Sequence, residues 1–250
     1  MTSRVALERA AFVAAADQEA YLRDHSNLPG PRGNLELIEA ASASASPADL
    51  RRWAALEPSV APTNTPGEFV VAVGVVGLGR LVAAGERALL PELRTASRDP
   101  RWRVREAVAI GLQHWGDLDR AALLEAMQGW AGGLPLEGRA AMAALCEPRL
   151  LQDRATVAGT LAILDQLTAQ VRDASDHRAV DVRVLRQALG YGWSVAVAAD
   201  PGLGVPVFER WLVEPDPDVR WIMRENLAKA RLAKAAPAWL AAARVRLAAG

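Results

Sequence analysis

Apolar residues recur at i, i+3, i+4 and i+7 along most of the chain, in runs of about 10 to 20 residues, the spacing of a helix that buries one face. The first run predicts a helix over 5–25, carried by Val5, Leu7, Phe12, Val13, Ala16, Ala20 and Tyr21. Pro29-Gly30-Pro31-Arg32-Gly33 ends it sharply. Asn34 then offers a side-chain oxygen to cap a second helix, with Glu36 in the first turn and Leu35, Leu37 and Ile38 on its apolar side. Alternating Ala and Ser over 42–46 reads as a frayed end. Ser46 followed by Pro47 reads as a cap with proline at the first helical position. From Pro66 onward the helical runs are divided by Gly85-Glu86, Asp99-Pro100, Gly116-Asp117, Gly132-Gly133, Glu147-Pro148, Asp200-Pro201 and Pro215-Asp216-Pro217. No segment sustains the apolar/polar alternation of a strand, so the class predicted is all-α.

Two segments repeat one another. Asp99-Pro100-Arg101-Trp102-Arg103-Val104-Arg105 leads to Leu112, and Asp216-Pro217-Asp218-Val219-Arg220-Trp221 leads to Leu227. Asp181-Val182-Arg183-Val184-Leu185-Arg186 is a looser copy. The aspartate suits the positive end of the helix dipole, and the proline fixes the entry of the chain. Val104, Ala107, Val108, Gly111, Leu112 and Trp115 share one helix face, as do Val219, Ile222, Met223, Asn226, Leu227 and Ala230. Neither helix can bury such a face alone, so each needs the helices before and after it.

The Asp-Pro turn followed by Val-Arg resembles the HEAT-repeat family. That resemblance implies a right-handed superhelical solenoid of antiparallel helix pairs, roughly six of them for a chain of this length. It implies a single domain over 1–250, with the clearest repeats at 66–232, a divergent cap over 1–60 and a capping helix over 233–250. Arg105 and Arg220 match the family's arginine that reaches aspartates of adjacent turns. The second helices of the pairs would line a concave groove around Arg101, Arg105, Arg183, Arg186, Arg220, Trp221 and Arg224, a surface for a macromolecular partner rather than a catalytic site.

Composition sharpens this picture. Hydrophobic residues make up 51% of the chain and aromatics only 5%, which suits close-packed helices built on Ala and Leu. Residues 69–85 are apolar apart from Arg80, but the stretch is short for a membrane span and reads as a core helix. Lys+Arg and Asp+Glu are both 29, and the resulting zero net charge disfavours a general nucleic-acid binder and points to a protein partner. The single cysteine, Cys146, excludes an internal disulfide, and the N-terminus lacks a secretory pattern, so a cytoplasmic, monomeric protein is predicted.

Chemistry-bearing residues are sparse. His25, His114 and His177 lie far apart and none has a ligand at metal spacing, so no metal and no cofactor are predicted. Cys146 ends an apolar run and reads as a small buried hydrophobe. Gly74, Gly77 and Gly79 lack the Gly-Lys-Ser/Thr of a phosphate loop and read as a close helix approach. Arg220, Arg224 and Arg231 form a stripe beside the apolar face of their helix, with Trp221 on its outer side. From Arg178 to the end there are 11 basic and 7 acidic residues, so this part is modestly basic. The segment from Leu185 to Trp193, with Asp200-Pro201 after it, resembles the bacterial DNA-alkylation-repair glycosylases, which are also HEAT-like. That resemblance gives the alternative function, a DNA-lesion-binding protein or glycosylase, with Trp115, Asp119, Arg154 and Trp193 around the lesion and Asp119 stabilising an oxocarbenium-like sugar. The Asn27–Asn34 stretch, holding Arg32 between Pro and Gly, is either a corner or part of a binding surface.

Overall fold

The computed structural model describes residues 3–249, with side chains described through 247. Among them are fifteen α-helices and no strand. The chain forms two compact units, 1–118 and 119–250.

The first unit holds α1 (Arg4–Ala14), α2 (Gln18–Asp24), α3 (Leu35–Ser42), α4 (Pro47–Ala54), α5 (Pro66–Ala83), a 3-10 turn at Arg87–Leu89, α6 (Leu90–Ala96) and α7 (Trp102–Leu118). The single helix expected over 5–25 is in fact α1 and α2. Asp17 divides them because its carboxylate accepts the amide hydrogen of Ala20 and caps a new helix inside the apolar run. The other caps fall where the residues place them. Asn34 accepts from Leu37 N at 3.1 Å, and Ser46 accepts from Asp49 N at 3.1 Å ahead of Pro47. The predicted break at Gly116-Asp117 does not occur, and α7 continues to Leu118.

Helix α5 is the centre of this unit, packing against α3, α4 and α7. It is long and apolar enough to cross a membrane, yet 78% of it is buried inside the fold, as a core helix requires. Its glycines set the packing distance. A Cβ on Gly79 would lie within 2.5 Å of the backbone of Gly111 in α7, so the two helices touch main chain to main chain. Buried within the same helix, Glu68 receives the guanidinium of Arg103 at 3.1 Å and the amide hydrogen of Asn64 at 2.7 Å. Arg103 also donates to the carbonyl of Gly30 at 2.7 Å, which ties the Asn27–Asn34 corner to α5 and α7.

The second unit holds α8 (Arg120–Ala131), α9 (Pro135–Leu145), α10 (Arg154–Arg172), α11 (Val180–Ala199), α12 (Pro201–Trp211), α13 (Pro217–Leu227), α14 (Ala230–Ala235) and α15 (Pro237–Ala249). Two layers form. Helices α9, α11, α13 and α15 lie side by side in chain order, and α8, α10 and α12 cover them. The face predicted on α13 is buried at Val219, Ile222, Met223, Asn226 and Leu227, whereas Ala230 is exposed because the helix ends at Leu227. Asn226 fastens α13 to α11: its Oδ1 accepts from Ser194 N at 2.7 Å and its Nδ2 donates to Leu189 O at 2.8 Å.

Candidate functional site

The arginines of the predicted binding face have different fates. Arg101 is 3% exposed. Its Nε and Nη2 donate to Asp99 at 2.8 and 2.6 Å, and its Nη1 donates to the carbonyls of Leu56 and Ala61 at 3.0 and 3.1 Å. With four donors spent inside the first unit, Arg101 crosslinks the fold. Arg105 donates to the carbonyls of Asp99 and Pro100 at 2.7 and 3.0 Å, closing the turn that starts its own helix.

Arg186 and Trp221 form part of a closed cluster in the second unit. The Arg186 guanidinium lies 3.9 Å from the centre of the Trp221 ring. Its Nε is 2.7 Å from Asp218 Oδ1, although the N–H is poorly aligned for a hydrogen bond. The other oxygen of Asp218 lies 2.8 Å from His177 Nδ1. His177, Asp216 and Asp218 have ligand atoms within 4.8 Å of one another, a nitrogen-and-oxygen set suited to a first-row transition metal. Asp218 is already shared by Arg186 and His177, and Asp216 caps α13 by accepting from Val219 N at 2.9 Å. Sequence spacing hid this cluster, because His177 and Asp218 are 41 residues apart. Arg183 is exposed on α11.

Arg220 and Arg224 do come together, with a third arginine that the sequence reading missed. Helix α15 runs back along α13, and the two exchange arginine contacts. Arg220 Nη2 donates to Leu247 O near the end of α15, and Arg244 Nη2 donates to Leu227 O at the end of α13, at 2.8 and 2.7 Å. Cations are favoured at these carbonyl-rich ends. Arg224 sits between them, exposed, with no ion pair to any described residue. The three arginines line a cleft of about 550 Å3 whose other described lining residues are Leu227, Ala228 and Leu247. No carboxylate is among the described lining residues. The signal for Arg244 was present in the sequence, since Leu240, Ala243 and Leu247 form a helical stripe with Arg244 beside it.

Two other clefts differ in charge. One of about 570 Å3 in the first unit sets Glu57, Glu92 and Asp99 against Arg51, Arg98 and Arg101. One of about 530 Å3 in the second unit holds a single cation, Arg231, 4.5 Å from the centre of the Tyr191 ring. Behind it Cys146 is buried, and burial pushes its thiol up to about 12 against a weaker opposing pull from Arg231. That thiol is inert at neutral pH.

The residues of the glycosylase alternative are placed as follows. Trp115, in the first unit, is 2% exposed, with the Arg87 guanidinium 4.3 Å from its ring centre. Asp119 is exposed and caps α8 by accepting from Ala122 N at 3.0 Å. Arg154 pairs with Asp200 at 2.7 Å. Trp193 is fully buried and donates its indole N–H to Thr168 at 2.9 Å. Neither indole presents a face to solvent. Compared with protein-family models, with curated proteins and with solved structures, the chain matches none.

Proposed function

We propose that the chain is a non-catalytic recognition module that binds an acidic segment of a protein partner in the cleft between α13 and α15. The observation that carries this reading is that Arg220, Arg224 and Arg244 line one cleft with no carboxylate among its described lining residues. Uncompensated like charges repel one another, and an anionic partner removes that repulsion. The near-equality of acidic and basic residues over the whole chain favours a local acidic contact over general attraction to nucleic acid. Each unit is read as a stack of HEAT-like helix pairs, which the side-by-side order of α9, α11, α13 and α15 supports. No observation at Trp115, Asp119, Arg154 or Trp193 favours the glycosylase reading.

The test is a titration of a fluorescently labelled Glu-rich peptide, at two salt concentrations, against the wild type, Arg224→Glu and the pair Arg220→Glu plus Arg224→Glu. The Arg224 side chain makes no described hydrogen bond, so the single variant is expected to keep its fold. Salt-sensitive binding by the wild type, lost in both variants, is expected. Equal binding by a folded Arg224→Glu variant refutes the site. Undamaged duplex DNA binding as tightly as the peptide, through the same arginines, refutes the protein partner.

A further inference from the structure

We infer that the group received between α13 and α15 is a phosphoryl group carried on a side chain of the protein partner. This rests on the recognition reading above and names the chemistry of its ligand. The first support is charge. Three arginines line the cleft with no carboxylate among its described lining residues. One carboxylate side chain neutralises one of them. A phosphoryl group carries close to two negative charges near neutral pH and presents three strong acceptor oxygens.

The second support is the donor type. All three cations are arginine, whose planar fork gives paired, directional hydrogen bonds to oxyanions. Each guanidinium has five N–H donors. Arg220 and Arg244 each spend one on a backbone carbonyl, which holds the head group in place while the other donors remain available. Arg224 spends none on a described partner. The two fixed arginines therefore flank a third that is free to close on an anion.

The third support is the rest of the lining. Leu227, Ala228 and Leu247 give an aliphatic floor, and no aromatic ring is among the described lining residues. A nucleotide or a single strand would find phosphate contacts but nothing on which to stack a base. The short aliphatic stem of phosphoserine or phosphothreonine suits that floor.

The experiment is calorimetric titration of the full chain with a capped alanine-rich peptide carrying one phosphoserine. The same peptide with serine, the same peptide with aspartate, and inorganic phosphate are the comparison ligands. The phosphoserine peptide is expected to bind about tenfold or more tightly than the aspartate peptide, and Arg224→Gln to remove about the same factor with the melting temperature unchanged. The serine peptide should not bind. Equal affinity for the phosphoserine and aspartate peptides overturns the phosphoryl assignment and leaves the acidic-segment reading standing. Inorganic phosphate binding as tightly as the phosphopeptide overturns the protein-borne source. If the phosphopeptide binds equally well to Arg224→Gln, the cleft is not its site. If the Glu-rich peptide also fails to bind the wild type, the recognition reading falls with it.

Discussion

Replacing Gly79 by alanine adds one methyl group where α5 and α7 touch. The new carbon would lie within 2.5 Å of three backbone atoms of Gly111, where ordinary contacts begin near 3.4 Å. No rotamer change relieves a clash with main chain, so the helices must separate by roughly 1 Å, which forfeits up to half of the dispersion energy at each loosened contact. Overpacking of this kind costs about 1–3 kcal/mol, and the better helix propensity of alanine returns about 1 kcal/mol. The net expectation is a loss of roughly 1–2 kcal/mol, with the clash dominating. For a unit of 118 residues this lowers the melting temperature by roughly 4–8 °C. The contact is asymmetric. A Cβ on Gly111 would meet Gly79 Cα at 3.1 Å and the carbonyls of Val75 and Val76 at 3.3 Å, a strain the propensity gain offsets. Gly111→Ala should therefore melt within about 2 °C of the wild type. Gly129→Ala, in α8 with nothing within 4 Å of the new carbon, should gain about 0.5–1 kcal/mol. Thermal melts followed by circular dichroism rank the three variants. A Gly79→Ala protein that melts at or above the wild-type temperature refutes the main-chain contact.

Three further outcomes follow from buried and half-buried groups. Cys146, with its thiol pushed up to about 12, should resist a disulfide reagent at pH 8 in the native protein and react fully in denaturant; rapid native labelling would contradict its burial. Asn226→Leu strips partners from the buried amide of Ser194 and carbonyl of Leu189, and should cost about 2 kcal/mol or more, read as a lower urea midpoint at unchanged slope. Burial raises the Glu19 carboxyl, but hydrogen bonds from Arg23, Arg52 and Trp53 together hold it below the usual range. A folded-state value below the unfolded one gives stability that is present above the unfolded pKa and lost as pH falls through the folded pKa. Glu19→Gln should therefore lower the melting temperature at pH 7 and leave it nearly unchanged near pH 3, and equal losses at both would remove the charge from the account.

What the sequence discloses is governed by distance along the chain. The caps at Asn34, Ser46 and Asp216 are local events, one side chain and an amide two or three residues on, and they fall where residue type puts them. Asp17 uses the same chemistry but sits inside a run whose apolar spacing continues on both sides, so periodicity conceals the division between α1 and α2. Arg220 and Arg224 are legible as a stripe, because an i, i+4 pair shares a face whatever lies opposite. Arg101 follows the same turn motif, yet the carbonyls of Leu56 and Ala61, 45 and 40 residues earlier, take its donors. Arg220 departs from the expected aspartate ladder for the same reason: its partner is a carbonyl of α15, 27 residues later.

The reciprocal arginine contacts make the last helix and the cleft a single thermodynamic object. Arg244 and Leu247 belong to α15, so the complete arginine-lined wall exists only while that helix is seated on α13. Any anion that prefers the assembled wall shifts the seating equilibrium by an amount set by its concentration over its dissociation constant. Slower amide exchange along residues 237–247 would then report occupancy, even for a ligand that touches only side chains.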